Sequence, residues 1–123
     1  MTDDRRTLGA EGEARAAAHL ARRGYRIVAR NVRAGGVEID LVAARPGLVV
    51  FVEVKTRRSD AYGSAEEAVD ARKRARLVRG AAAWLHEQRV RPGRVRFDVI
   101  ACEPDARGGW TLRHLEGAFE AAD

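Results

Sequence analysis

A short stretch in the middle of the chain combines the pattern of a buried strand with two charges. Residues 47–55 are Gly-Leu-Val-Val-Phe-Val-Glu-Val-Lys, a continuous apolar run rich in β-branched residues. Such runs are typical of strands covered on both faces of a sheet. Successive side chains alternate across a strand, so Glu53 and Lys55 share one face and Val54 points to the other. Burying either charge without a partner is costly, so these side chains either pair or do chemistry.

A second apolar stretch, residues 37–43, carries Asp40 thirteen positions before Glu53. The Pro46-Gly47 turn between the two stretches predicts an antiparallel hairpin. Magnesium usually takes one or two protein carboxylates, with phosphate and water completing its octahedron. Asp40 and Glu53 are therefore the predicted metal ligands, together with the main-chain carbonyl of Val54. Lys55 would orient or deprotonate the attacking water, or stabilise charge on the phosphate. A simple Glu–Lys ion pair at a solvated strand end is the alternative, and the pattern alone leaves both open.

The basic residues of the chain are distributed unevenly, both in type and in position. Of 23 basic residues two are lysines, Lys55 and Lys73, so a lysine kept at a strand end indicates a need for a compact, deprotonatable ammonium. The net charge is +5, and residues 72–96 contain nine basic residues against one acid, Glu87. A concentrated basic segment favours binding to nucleic acid, and a solvated helix face is the alternative.

Length and composition predict one domain over residues 1–123, with its core at about 8–116, because 123 residues that are 46% hydrophobic can bury one core but not two. The single cysteine, Cys102, excludes an intramolecular disulfide framework and a Cys-based zinc site. No apolar stretch approaches the roughly 20 residues of a membrane span. The N-terminus lacks the apolar segment of a signal peptide, and the expected location is the cytoplasm.

Hydrophobic periodicity and turn residues predict the order α-β-β-β-α-β-β. This order favours an α/β fold in which a mixed central sheet is flanked by helices. The histidines lack metal-ligand spacing and are expected at the surface or at an interface, Asp98 is expected to pair with an arginine, and Cys102 is expected to be an ordinary buried thiol. The predicted helices are 8–23 and 65–88, and the predicted strands are 25–30, 37–43, 48–56, 95–101 and 110–115.

The Asp40…Glu53-x-Lys55 set is similar to the signature of the PD-(D/E)XK nuclease superfamily. Further motifs, in chain order, resemble the YraN-type family of small bacterial proteins, which are predicted nucleases related in fold to Holliday-junction resolvases. These motifs are Gly9-x-x-Gly12-Glu13-x-x-Ala16, Gly24-Tyr25, Asn31, Glu38-Ile39-Asp40-Leu41, Phe51-Val52-Glu53-Val54-Lys55-x-Arg57, Lys73 and Arg96-Phe97-Asp98-Val99.

The resemblance implies a restriction-endonuclease-like domain that hydrolyses DNA phosphodiesters with Mg²⁺ or Mn²⁺, with branched or structured DNA as the favoured substrate class. It assigns catalysis to Asp40, Glu53, Lys55 and Glu13, and the metal to the three carboxylates. Glu13 has the alternative of a solvent-exposed acid in the first turn of its helix, and Glu38 would be a further ligand or a group that supports the ligands. The DNA contacts are expected from Arg57, Arg72, Lys73, Arg74, Arg76 and Arg79.

Two alternatives accompany this prediction. A DNA-binding module on a nuclease fold, acting in repair, recombination or uptake with little or no cleavage, would retain every ligand. A structural protein with an incidental Glu–Lys pair would not need Asp40. The resemblance to resolvases also implies a homodimer, since a four-way junction offers two symmetric scissile strands. No sequence feature identifies a dimer surface.

Overall fold

The computed structural model of the chain describes residues 4–57 and 70–121, with side chains from residue 7 onward. This part of the chain follows the predicted order α-β-β-β-α-β-β. The helices are α1 (Asp4–Arg22) and α2 (Ala71–Gln88), and the strands are β1 (Arg26–Ala34), β2 (Val37–Arg45), β3 (Leu48–Thr56), β4 (Arg94–Pro104) and β5 (Trp110–Phe119). No helix within these ranges is long and apolar enough to cross a bilayer.

The strands form one mixed sheet in the order β1-β2-β3-β4-β5. All neighbours are antiparallel except β3 and β4, which are parallel. A parallel pair needs a crossover connection, and α2 supplies it. After β3 the chain returns along α2 and enters β4 at the opposite end of the strands. The first turn of α2 therefore lies near the C-terminal end of β3.

The two helices cover opposite faces of the sheet, and β3 contributes to both cores. Val49 and Phe51 pack in the cluster under α2, which includes Leu77 and Trp84. The β3 residues that point the other way pack with Leu20 of α1, and they are Val50, Val52 and Val54. The prediction that this strand is covered on both faces is confirmed.

Four strands extend beyond their predicted limits, namely β1, β2, β4 and β5. β1 continues past Asn31, a residue in left-handed backbone with a φ of 49°, and β5 continues past Gly117, whose φ is 59°. Left-handed residues normally end a strand pattern. In β5 the irregularity is stabilised because the Gly117 N–H donates to the Asp98 carboxylate at 3.0 Å.

The second helix begins with a well-formed cap. The Asp70 side chain accepts a hydrogen bond from the Lys73 N–H at 3.0 Å, the usual arrangement for an N-terminal cap. The predicted start of this helix at residue 65 falls outside the described residues, and the helix in the described part begins at Ala71.

Candidate functional site

The C-terminal end of β3 carries the charged pair that the sequence places on one face of a strand. The Lys55 ammonium lies 3.1 Å from Oε1 of Glu53, and about a fifth of each side chain is exposed. Val54, between them, points the other way into the core under α1. The ion pair of the simpler interpretation is therefore present, and whether it belongs to a larger site depends on what surrounds it.

Asp40 lies on β2 beside this pair. Its Oδ2 accepts a hydrogen bond of 2.8 Å from the Val54 N–H. The paired register of β2 and β3 ends at Leu41 and Val52, so Asp40 and Glu53 each lie one residue beyond the last pair. Beyond the last main-chain pair, the Asp40 side chain links β2 to β3 through its hydrogen bond with the Val54 N–H.

The surroundings of Asp40 disfavour its negative charge. Burial is the largest influence, and together with the nearby charges of Glu53 and, more weakly, Glu13 it raises the pKa of Asp40 to about 7. The hydrogen bond from Val54 and the charge of Lys55 oppose this shift. Three carboxylates and one ammonium therefore influence one another electrostatically at the end of β3.

An irregularity in the sheet accompanies Asp40. Ile39 and Val42 both contribute to the core under α2, whereas Leu41 contributes to the core under α1. Strict alternation would put residues 39 and 42 on opposite faces, so the backbone departs from regular pleating around Asp40. On β1 the residue facing this point is Asn31, whose φ is 49°. Asparagine tolerates left-handed backbone better than most residues, and this tolerance is the one sequence signal for the irregularity.

A close approach between α1 and β3 sets the position of Glu13. Gly12 is buried, and a methyl group in place of its hydrogen would lie 1.9 Å from Oγ1 of Thr56. The Gly12 carbonyl also accepts a contact of 3.5 Å from the Cys102 thiol, whose burial raises its pKa to about 11. A glycine is thus required next to Glu13, and it brings α1 against the end of β3.

The described side chains do not form a ready-made metal cage. Among them, no three histidine, cysteine or acidic residues are grouped closely enough to hold a metal ion. Glu53 is turned toward Lys55 and Asp40 toward Val54, so the three predicted carboxylates interact through their charges without converging on one point. This arrangement is compatible with a magnesium site of one or two carboxylates completed by phosphate and water.

Lys73 reaches the same cluster from α2. Repulsion by Lys55 is the largest of the influences that lower the pKa of Lys73, followed by desolvation and by a side-chain contact with Lys55. Asp70 and Glu53 act in the opposite direction. The charge of Lys55 therefore acts on Lys73, which is exposed in the first turn of α2, and no local sequence pattern predicts this.

The remaining predicted DNA-binding residues have different surroundings. Arg74 stacks on the Phe119 ring at 5.6 Å, and the Arg57 N–H donates to the Cys102 carbonyl at 3.0 Å. Glu38, which was predicted as a further metal ligand or as a group that supports the ligands, is exposed on β2 opposite Arg33. The other arginines expected to contact DNA from α2 lie on its exposed surface, and they are Arg72, Arg76 and Arg79.

A second polar cluster surrounds Asp98 in the core. Arg96 donates to both carboxylate oxygens at 2.8 Å, which confirms the predicted pairing with an arginine. His114 Nε2 lies 2.7 Å from Oδ2, and its side chain is 4% exposed, so its expected surface position is wrong. Burial would raise the pKa of Asp98, but the bonds from His114, Arg96 and Gly117 leave it below its ordinary value. His19 lies 3.3 Å from His114, and its pKa is lowered by burial and by nearby positive charges.

The fold and the charged cluster define the class of this protein, an α/β domain with carboxylates and lysines gathered at the end of its central strands. Within that class the chain belongs to UPF0102, because the model of that family, described as an uncharacterised protein family, matches residues 12–102.

Members of this family are similar to the chain over most of its length. A UPF0102 protein of Symbiobacterium thermophilum is 47% identical over 116 residues, which is 94% of this chain and 98% of the relative. One from Corynebacterium efficiens is 44% identical over 124 residues, covering 99% of each chain. A third, from Moorella thermoacetica, is 50% identical over 101 residues, covering 82% of this chain and 84% of the relative.

Proposed function

We propose that this protein is a metal-dependent nuclease that hydrolyses a DNA phosphodiester. The observation that carries the proposal is the environment of Asp40, a half-buried carboxylate with one main-chain donor. Its partial burial and the nearby charges of Glu53 and Glu13 raise its pKa to about 7. A protein gains no stability from crowding acids in this way. The arrangement becomes favourable when a divalent cation offsets their charge.

The donor set fits Mg²⁺ or Mn²⁺. Both are hard cations that prefer carboxylate, carbonyl and water oxygens, and this cluster offers carboxylates without thiolate or imidazole. Asp40 and Glu53 would hold the ion with the Val54 carbonyl, and Glu13 would contribute from α1. Bound there, the ion would act as a Lewis acid toward a phosphoryl oxygen and lower the pKa of a water molecule.

The chain's own residues would orient the reacting groups. The Val54 N–H occupies one oxygen of Asp40 and so fixes the carboxylate plane. Glu53 forms an ion pair with the Lys55 ammonium at 3.1 Å. This pair keeps a positive charge beside the carboxylates that would hold the metal ion. A phosphate entering there would meet Lys55 at hydrogen-bonding distance, where the ammonium can orient the attacking water or stabilise charge developing on the phosphoryl oxygens.

The proposal of DNA as the substrate is supported by charge. Arg72, Arg76 and Arg79 are exposed on the helix whose first turn borders the site, and the whole chain carries a net charge of +5. Such a surface attracts a phosphate backbone without regard to sequence. Branched or structured DNA is favoured by the resemblance to resolvases.

One observation favours a second candidate, a DNA-binding module with little or no cleavage. Glu53 pairs with Lys55 and Asp40 accepts from Val54, so both groups have partners within the chain. Such a protein would bind DNA through the same basic surface and would not require the metal.

A cleavage assay separates the two candidates. The purified protein is incubated with linear, flapped and four-way DNA, with Mg²⁺ or Mn²⁺ and with EDTA, and binding is followed in parallel by fluorescence anisotropy. A nuclease cuts at least one substrate when the cation is present, and Asp40→Asn and Glu53→Gln each abolish cutting while DNA is still bound. Binding without cutting on every substrate refutes the nuclease proposal and supports the module.

A further inference from the structure

A pair of histidines joins the first helix to the last strand. His19 on α1 and His114 on β5 are 95 positions apart, and His19 Nε2 lies 3.3 Å from His114 Nδ1. The ring planes meet at 74° with their centroids 5.3 Å apart, so the rings are not stacked. The His114 side chain is 4% exposed and His19 is half-buried. The pair is therefore held at the boundary between the core and the solvent.

The hydrogen bond to Asp98 decides which nitrogen of His114 carries a proton. A carboxylate only accepts hydrogen bonds, so His114 Nε2, which lies 2.7 Å from Oδ2 of Asp98, is the donor. In the neutral ring the proton is then on Nε2, and Nδ1 presents a lone pair toward His19. His19 Nε2 either donates a proton to that lone pair or presents a second lone pair beside it. The space between the two nitrogens therefore accepts one proton or one metal ion.

The distance between the two nitrogens suits a metal ion. Zinc–nitrogen bonds are about 2.0–2.1 Å long, so two imidazole nitrogens at a tetrahedral angle lie about 3.3–3.4 Å apart. The observed 3.3 Å falls in this range and exceeds the roughly 2.7–3.2 Å that is usual for N–H···O hydrogen bonds. Histidines that bind metals usually donate their other N–H to a carboxylate or carbonyl, which fixes the ring. Asp98 does this for His114, so the pair has both the ligand spacing and the support of a metal site.

The charges around the pair favour a neutral His19. Burial is the largest influence that lowers its pKa, and nearby positive charges follow, those of Arg23, His114 and Arg22. Imidazole binds metals in its neutral form, so His19 is available as a ligand at neutral pH. The same arginines oppose a dication, whereas the carboxylate of Asp98, itself paired with Arg96, attracts one. The expected binding is therefore moderate rather than very tight.

We propose that His19 and His114 form a second metal site, which binds Zn²⁺ or a similar divalent transition metal and joins α1 to β5. Imidazole suits zinc, copper and nickel, whereas Mg²⁺ prefers oxygen ligands, so this site differs in chemistry from the carboxylates near Asp40. Among the described residues no third histidine, cysteine or acid completes the coordination sphere, and water fills the remaining positions. A metal here attaches α1 to β5 through two coordination bonds in place of one hydrogen bond. The site does not depend on the proposed nuclease function.

Calorimetric titration with Zn²⁺ tests the proposal at neutral pH. Excess Mg²⁺ is present throughout, because it occupies oxygen sites and leaves imidazole free. The parent is expected to bind Zn²⁺ saturably, with at most one ion per chain. His19→Gln keeps a hydrogen-bonding side chain and is expected to weaken binding by more than the roughly 10- to 100-fold that loss of a supporting group costs. His86→Gln is the matched control, because it removes the third histidine of the chain, which is exposed on α2, and it should leave the affinity unchanged. Absence of saturable binding, or equal affinity of His19→Gln and the parent, overturns the proposal.

A second measurement needs no variant. Protein labelled with ¹⁵N in its histidines gives ring-nitrogen signals from three side chains, which are followed by NMR as Zn²⁺ is added in excess Mg²⁺. The signals of His19 Nε2 and His114 Nδ1 are expected to shift together, while those of His86 stay in place. If the His19 and His114 signals do not respond, or if His86 responds as strongly, the pair is an ordinary hydrogen bond and the proposal is overturned.

Discussion

Replacing Asp40 with asparagine should stabilise the protein while removing its proposed activity. The asparagine side chain would keep an oxygen that can accept the 2.8 Å hydrogen bond from Val54. It would lose the negative charge that burial, Glu53 and Glu13 disfavour, since these raise the pKa of Asp40 from 3.8 to about 7. Asp40→Asn thus removes an electrostatic cost without removing the contact that orders the strand ends.

The size of the effect follows from the pKa shift. The rise in the pKa of Asp40 from 3.8 to about 7 corresponds to at most about 4 kcal/mol. Rearrangement of the partly exposed Glu53 and Lys55 side chains lowers this cost. We expect Asp40→Asn to add about 1–3 kcal/mol to the free energy of unfolding at pH 8, which raises the melting temperature by roughly 4–12 °C for a domain of this size.

The gain should depend on pH in a defined direction. The pKa of Asp40 in the folded state lies above its unfolded value of 3.8, so the folded protein binds more protons between pH 3.8 and about 7. The contribution of Asp40 to the stability of the parent therefore falls as pH rises through this window and levels off above it. The asparagine variant does not titrate at this position, so its advantage should be small near pH 4 and largest above pH 7.

Thermal unfolding at about pH 4.5 and pH 8, without divalent cations, measures both quantities. Two controls define the comparison. Glu38→Gln removes an exposed acid from the same strand and should change the melting temperature by little. Asp98→Asn should destabilise by about 3 kcal/mol, because it leaves the Arg96 side chain, 12% exposed, without its main partner. An Asp40→Asn variant that is no more stable than the parent at pH 8, or whose advantage is the same at both pH values, would refute the reasoning.

Four further predictions concern the same site. Mg²⁺ at about a hundred times its dissociation constant should stabilise the parent by about 2.7 kcal/mol and Asp40→Asn much less; equal stabilisation in thermal scans would argue against a metal at Asp40. Lys55→Arg should lower the cleavage rate on the order of 10²-fold or more while DNA binding is nearly unchanged; full activity would favour the simple ion pair. Gly12→Ala should destabilise by about 1–3 kcal/mol through its clash with Thr56, whereas Gly9→Ala, which meets nothing within 4 Å, should stabilise slightly in denaturant titrations. DNA affinity should fall steeply with salt, and replacing the exposed α2 arginines with alanine should reduce that slope; salt-insensitive binding would exclude this surface.

The parts of the fold that can be predicted from sequence are those where local pattern and tertiary environment agree. The apolar run predicts β3 at 48–56 and the strand is observed at Leu48–Thr56, because a strand buried on both faces needs an unbroken apolar run. The Pro46-Gly47 turn predicts the hairpin, and Gly47 has the positive φ of 75° that such a turn requires. Strand ends carry less pattern than strand centres, and β1, β2, β4 and β5 all extend beyond their predicted limits.

The parts of the site that could not be predicted depend on contacts between distant segments. Neither the Val54 hydrogen bond to Asp40 nor the effect of Lys55 on Lys73 leaves a local pattern, since each depends on how two elements meet. By pattern His114 resembles an ordinary exposed residue of an alternating strand, and its burial follows from the position of Asp98 on the neighbouring strand. Residue types and spacing predict which groups a site contains, while the fold determines which of them contact each other.

The contrast between two aspartates of the same sheet supports the proposal that Asp40 belongs to a functional site. Asp98 is fully buried, yet it receives bonds from Arg96, His114 and Gly117, and its pKa lies below its ordinary value. Asp40 is less buried, accepts a main-chain bond from Val54, and its pKa rises to about 7 beside two other carboxylates. The chain therefore surrounds the buried Asp98 with hydrogen-bond donors, whereas the half-buried Asp40 has one donor and two neighbouring acids. Buried polar groups whose hydrogen bonds are all formed stabilise a fold. Carboxylates whose pKa is strongly shifted cluster at functional sites. The opposite stability changes expected for Asp98→Asn and Asp40→Asn test this distinction without any assumption about the substrate.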